Sequence, residues 1–173
     1  MGKLLTSNSR NTAVLIIDMQ DFFLAKFGKA VVEDLILDQS KIINWCFKTR
    51  TPIFIVQYKG RGEITASLKK VLKQNSLVSS VVKESNGGFT ETNLEDLLNQ
   101  KKIKNLVLMG VNGSACVQDT AIGALRRGFK IITGRGIIAS ATQNDKNLAV
   151  SKKWYSKNGK FFENVDSLLT KIN

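Results

Sequence analysis

The stretch Leu106–Gly128, LVLMGVNGSACVQDTAIGALRRG, constrains this chain more than any other. An apolar run, Leu106-Val107-Leu108-Met109, stops at Gly110, and a loop of small and polar residues leads to Cys116. Beyond the cysteine, Val117, Ala121, Ala124 and Leu125 recur at helical spacing until Gly128 ends the pattern. The pattern predicts strand, tight loop and helix, with a thiol where the helix begins. The first N–H groups of a helix lack internal partners and sit at the positive end of its dipole. That setting is expected to lower the cysteine pKa and raise its reactivity. The same N–H groups can hold a developing oxyanion. A small buried residue packing the turn is the other reading, since cysteine is often buried. This segment alone does not choose between them.

The flanking chain repeats the same unit. Ala13-Val14-Leu15-Ile16-Ile17 is a continuous apolar run, as expected of a central parallel strand covered on both faces. It ends at Asp18, where open α/β sheets place ligands, although an Asp there can also cap the next turn. Helical periodicity follows over about 31–48, with Cys46 on its apolar side, until Thr51-Pro52 breaks it. Ile53–Val56 reads as a second strand, 67–74 as a short helix, and Ser79–Lys83 as a third strand ending in a lysine. After the Gly87-Gly88 loop, Thr90 is the expected N-cap of a helix through Leu94, Leu97 and Leu98. Past the central stretch come a strand at 129–133, a helix over about 144–156, a short strand at 160–162 and a terminal helix over 165–172. Strands alternate with helices and no repeat or linker interrupts them. The expected fold is a single α/β domain over 1–173 with a mostly parallel sheet and right-handed crossovers.

Composition removes several function classes. With no histidine, the chain cannot build a Ser-His-Asp triad, a Cys-His dyad or a histidine-ligated metal site. Two cysteines, Cys46 and Cys116, make neither a disulfide framework nor a structural zinc site, and fit a reduced, cytoplasmic setting. No apolar run approaches transmembrane length, and no secretory segment is visible. Met1–Thr6 matches only the degenerate N-myristoylation pattern at Gly2. The glycines spell neither a dinucleotide fingerprint nor a P-loop, so no cofactor is expected. The net charge of +12 is spread over short basic pairs such as Lys69-Lys70 and Arg126-Arg127. That distribution fits a solvated surface able to draw in an anionic small-molecule substrate. It carries no specific nucleic-acid motif and gives no reason to expect a membrane partner.

Asp18, Lys83 and Cys116 end or follow three different strands and make one chemical set. The thiol supplies a nucleophile, the carboxylate a base, and the ammonium a charge that orients both. With these residues in view, the chain resembles the isochorismatase-like cysteine hydrolase superfamily, which includes nicotinamidases and other small-amide hydrolases. The resemblance rests on AVLIIDMQDFF at 13–23, VVKESNGGF at 81–89 and LVLMGVNGSACVQDTAIGALRRGFKIIT at 106–133, in that order. It implies a three-layer α/β/α fold with about six strands, and the family's Asp-Lys-Cys triad on Asp18, Lys83 and Cys116. It further implies a thioester intermediate, a cis peptide at Val111–Asn112, an oxyanion hole from the Asn112 and Cys116 N–H groups, and a homo-oligomer. Phe23, Phe89 and Gln20 are the expected pocket residues. The metal held by an aspartate and histidines in nicotinamidases cannot exist here in its usual form, which makes nicotinamide a poor substrate. The expected reaction is hydrolysis of a small amide or ureide C–N bond. A catalytically silent scaffold of the same fold is the alternative.

Overall fold

The computed structural model describes residues 11–73, 75–140 and 145–172. In chain order it contains β1 (Thr12–Ile17), α1 (Asp21–Leu24), α2 (Lys29–Thr49), β2 (Ile53–Tyr58), α3 (Ala66–Leu72) and β3 (Val78–Lys83). Next come α4 (Leu94–Gln100), β4 (Asn105–Val111), α5 (Cys116–Arg126), β5 (Lys130–Gly134) and β6 (Ile138–Ala139). The chain finishes with α6 (Asp145–Asn158), β7 (Lys160–Phe162) and α7 (Val165–Ile172). The seven strands form one sheet in the order β3-β2-β1-β4-β5-β7, with β6 paired to β4 beside that path. Every strand pair is parallel.

The continuous apolar strands are explained by helices on both faces. Val14, Ile16, Ile53, Ile55, Val107 and Met109 point into one core with Leu35, Ile42, Ile43 and Cys46 of α2, Leu68 of α3 and Leu168 of α7. The alternate residues, Ala13, Leu15, Ile17, Phe54, Val56, Leu106 and Leu108, meet Leu94 and Leu98 of α4, Val117, Ala121 and Ala124 of α5, and Tyr155 of α6. A period of two along each strand thus sorts one hydrophobic sequence into two layers. Cys46 has no exposed surface, and burial pushes its thiol up, so it is an inert packing residue.

Two sequence expectations need correction. The helix expected to start at Thr90 begins at Leu94, with Asn93 in the cap position. The Thr92 hydroxyl accepts the Leu94 N–H (3.3 Å) and donates to the Gly88 carbonyl (2.6 Å), so the intervening residues form a hydroxyl-braced turn. Strand β6 was not expected, because two residues are too short to carry any periodicity. The expected helix start at Asn144, the helix end at Gln74 and the Gly2 motif lie outside the described residues. Among the described residues no helix is long and apolar enough to cross a membrane.

Candidate active site

Parallel pairing brings the carboxyl ends of β1, β3 and β4 to one edge of the sheet, and with them Asp18, Lys83 and the loop leading to Cys116. Asp18 follows β1 directly and adopts a left-handed φ of 53°. Short polar side chains tolerate this region better than most, at about 1–2 kcal/mol. Its carboxylate Oδ2 lies 2.8 Å from Lys83 Nζ, and both side chains are almost wholly removed from solvent. Burial raises the Asp18 pKa above the ordinary carboxylate value, while the bond and charge of Lys83 and the neighbouring Cys116 thiol hold it back. Lys83 Nζ also donates to the Ser85 carbonyl at 3.1 Å and lies 4.5 Å above the Tyr58 ring.

Cys116 is the first residue of α5 and is 6% exposed. The preceding peptide Val111–Asn112 is cis. The Asn112 carbonyl accepts the N–H groups of Ala115 and Val117, both at 3.1 Å. The Gly113 N–H donates to Ala139 of β6 (2.8 Å), and the Gly113 carbonyl accepts the Tyr155 hydroxyl (2.7 Å). The Ser114 N–H donates to Ser140 Oγ at 3.2 Å. The loop before the cysteine is therefore fixed from β6, Ser140 and α6 at once. Gly110 is part of the same construction: with φ at 135°, any side chain there would run into the Ile17 carbonyl, and β4 could not pass β1 so closely.

The helix N-terminus does not win the contest for the thiol. Cys116 is pushed up to about 11, first by burial and then by the Asp18 charge, against opposing contributions from Lys83 and the Asn112 N–H. Burial and the Asp18 charge thus oppose the lowering expected of a helix N-terminus. Lys83 is spent on Asp18, leaving a carboxylate as the charge that dominates the thiol. The site thus sets a thiol whose pKa is raised beside the 2.8 Å Asp18–Lys83 pair. That arrangement can take the thiol proton onto Asp18 when a substrate arrives.

The pocket residues expected from sequence fare differently. Phe23 is half-buried and meets Tyr58 edge-on with ring centres 6.1 Å apart, one ring removed from Lys83. Phe89 is 6% exposed, stacked on Phe129 at 5.9 Å and pressed against Gly123 of α5, in the same apolar cluster as Cys116. Gln20 has no exposed surface. Its Nε2 donates to the carbonyls of Tyr58 (3.0 Å) and Gly62 (2.6 Å), and its Oε1 accepts the Tyr58 N–H (2.8 Å). With both amide protons used, Gln20 braces the β2–α3 turn and has no donor left for a ligand.

Two site residues escaped the sequence reading. Tyr58 pairs in register with Lys83 across β2 and β3, and its hydroxyl donates to the Glu84 carbonyl at 2.6 Å. As the last residue of a buried strand it obeyed the same rule that drew attention to Asp18. Asn86, on the exposed loop after β3, has its Oδ1 3.7 Å from Cys116 Sγ. An asparagine in a glycine-rich loop carries no sequence signal of such a contact. Among the described residues no three Cys, Asp or Glu side chains cluster to hold a metal ion. With no histidine in the chain, the donor set does not fit the aspartate–histidine metal site of nicotinamidases.

The isochorismatase domain model matches residues 12–152. A crystal structure of an isochorismatase-like hydrolase from Alkaliphilus metalliredigens superposes with a TM-score of 0.81 and 26% identity, covering 94% of this chain and 99% of that one. A nicotinamidase from Staphylococcus aureus gives 0.77 at 21% identity, covering 89% of this chain and 99% of its own. An N-carbamoylsarcosine amidase from Thermoplasma acidophilum gives 0.77 at 20% identity, with 90% and 97% covered. Isochorismatase family protein 2A of Dictyostelium discoideum is 25% identical over 179 residues, spanning 95% of this chain and 84% of the relative. A family match over most of the chain, on a sheet that gathers Asp18, Lys83 and Cys116 at one edge, makes this protein a member of the isochorismatase family.

Proposed function

We propose that the protein is a cysteine amidohydrolase, cleaving the C–N bond of a small amide or ureide through a thioester on Cys116. The observation that carries this reading is the buried Asp18–Lys83 pair beside the Cys116 thiol. Two of the similar structures, a nicotinamidase and an N-carbamoylsarcosine amidase, are named for reactions of this class. In the proposed cycle Asp18 accepts the thiol proton as Sγ bonds to the substrate carbonyl carbon. The resulting oxyanion rests on the N–H groups of Asn112 and Cys116. The tetrahedral intermediate collapses, the C–N bond breaks, and the nitrogen leaves with the proton from Asp18. Water then attacks the thioester, Asp18 takes its proton, and the acid and the free thiol are regenerated. Lys83 holds Asp18 in place through their 2.8 Å contact. No step is routed through a metal.

The family resemblance also supports a homo-oligomer, and the +12 charge favours an anionic substrate. The test is ammonia release from a panel of small amides and ureides, wild type beside Cys116→Ala, with mass spectrometry of the quenched protein. Turnover and an acyl adduct on Cys116, both absent in the variant, are expected. Undiminished turnover in Cys116→Ala overturns the mechanism.

A further inference from the structure

The mechanism uses the thiol, the ion pair and the two backbone donors, and leaves Asn86 without a task. Yet Asn86 is in contact with the nucleophile. Its Oδ1 is the atom 3.7 Å from Sγ, so the thiol donates to the amide oxygen. A group this close to the attacking sulfur also borders the carbon that the sulfur attacks.

Asn86 lies on the loop after β3, and Lys83 Nζ fastens that loop by its bond to the Ser85 carbonyl. The proposed oxyanion donors belong to a different loop, the one from β4 to α5. An amide oxygen only accepts, and of the groups on the reacting carbon only the scissile nitrogen carries an N–H to give it. The side chain is exposed to solvent, so it stands at the entrance. Once Sγ has lost its proton, Oδ1 loses its donor. An N–H on the leaving nitrogen is the natural replacement.

We propose that Asn86 is a specificity-determining residue that accepts a hydrogen bond from the scissile nitrogen, selecting amides and ureides that carry an N–H there over esters and fully substituted amides. This rests on the cysteine amidohydrolase reading above. No bond is made or broken by Asn86; the hydrogen bond exchanges a thiol donor for a substrate donor.

The experiment compares kcat/KM for the primary amide and the methyl ester of one acid, the acid whose amide releases ammonia fastest. Wild type, Asn86→Ala and Asn86→Asp are measured in parallel. In Asn86→Ala the amide is expected to lose roughly 10- to 100-fold while the ester stays within about 3-fold. Asn86→Asp keeps the acceptor and adds a negative charge beside the sulfur. It should slow both substrates yet retain the amide preference of wild type. Equal losses on amide and ester in Asn86→Ala, or no loss on either, overturn the role of Asn86 while the hydrolase reading stands. If wild type turns over neither the amides nor the esters of the panel, the hydrolase reading fails and the proposal falls with it.

Discussion

Replacing Lys83 by Met removes one half of an ion pair whose members are 0% and 1% exposed. Deleting one partner of such a buried pair typically costs about 3–5 kcal/mol, because the remaining charge loses its counter-ion without regaining water. Asp18 can escape by taking up a proton, and burial already drives it that way, with Lys83 as the main restraint. The pH dependence follows from the sign. A carboxyl whose folded pKa is raised contributes stability that is full below its unfolded value, near 3.8, and is lost as pH rises through the folded value. Removing Lys83 raises that folded value further. The deficit of Lys83→Met against wild type should be largest at pH 8, about 3–5 kcal/mol, and should shrink steadily towards acid. Urea unfolding at pH 8 and pH 5 measures it. The double variant Asp18→Asn/Lys83→Met, which has no charge left to bury, should recover most of the loss at pH 8. A deficit below about 1 kcal/mol at pH 8, or one independent of pH, refutes the reasoning that these two groups form a mutually dependent buried pair.

Two other outcomes are expected. Iodoacetamide should modify Cys116 and spare Cys46 in the folded protein, with a rate rising about tenfold per pH unit above neutrality and levelling near 11; a plateau already at pH 7 would mean that the resting sulfur is a thiolate. Gly110→Ala should lose about 4 kcal/mol or more in thermal or urea unfolding, since its methyl group meets backbone rather than a movable side chain; an unchanged melting temperature would show that β1 and β4 separate easily.

The layout of strands and helices was legible because each central strand is an uninterrupted apolar run and each helix shows its own period. Thr12–Ile17 and Asn105–Val111 were placed within a residue or two for that reason. Asp18, Lys83 and Cys116 were legible as strand-end residues, and parallel pairing carries all three to one edge. Their electrostatics were not. A helix N-terminus is a local property visible in sequence, whereas the pKa of Cys116 follows from how deeply it is buried and from which partner Lys83 chooses. Gln20 and Phe89 show the same limit. A polar or aromatic side chain near a motif reads alike whether it faces a ligand or the backbone, and only the packing against Tyr58, Gly62, Phe129 and Gly123 separates the two.

The bond from the Tyr155 hydroxyl to the Gly113 carbonyl joins residues 42 positions apart. The loop that leads to Cys116 is thus finished by a helix made long after it, and Ser140 and Ala139 reach it from the intervening chain. During synthesis on a ribosome, Cys116 emerges before any of its late braces. A nascent chain stopped short of α6 would carry the thiol, the carboxylate and the lysine but not the fully braced loop before Cys116. The Asp18–Lys83–Cys116 cluster is therefore among the last parts of the molecule to be completed.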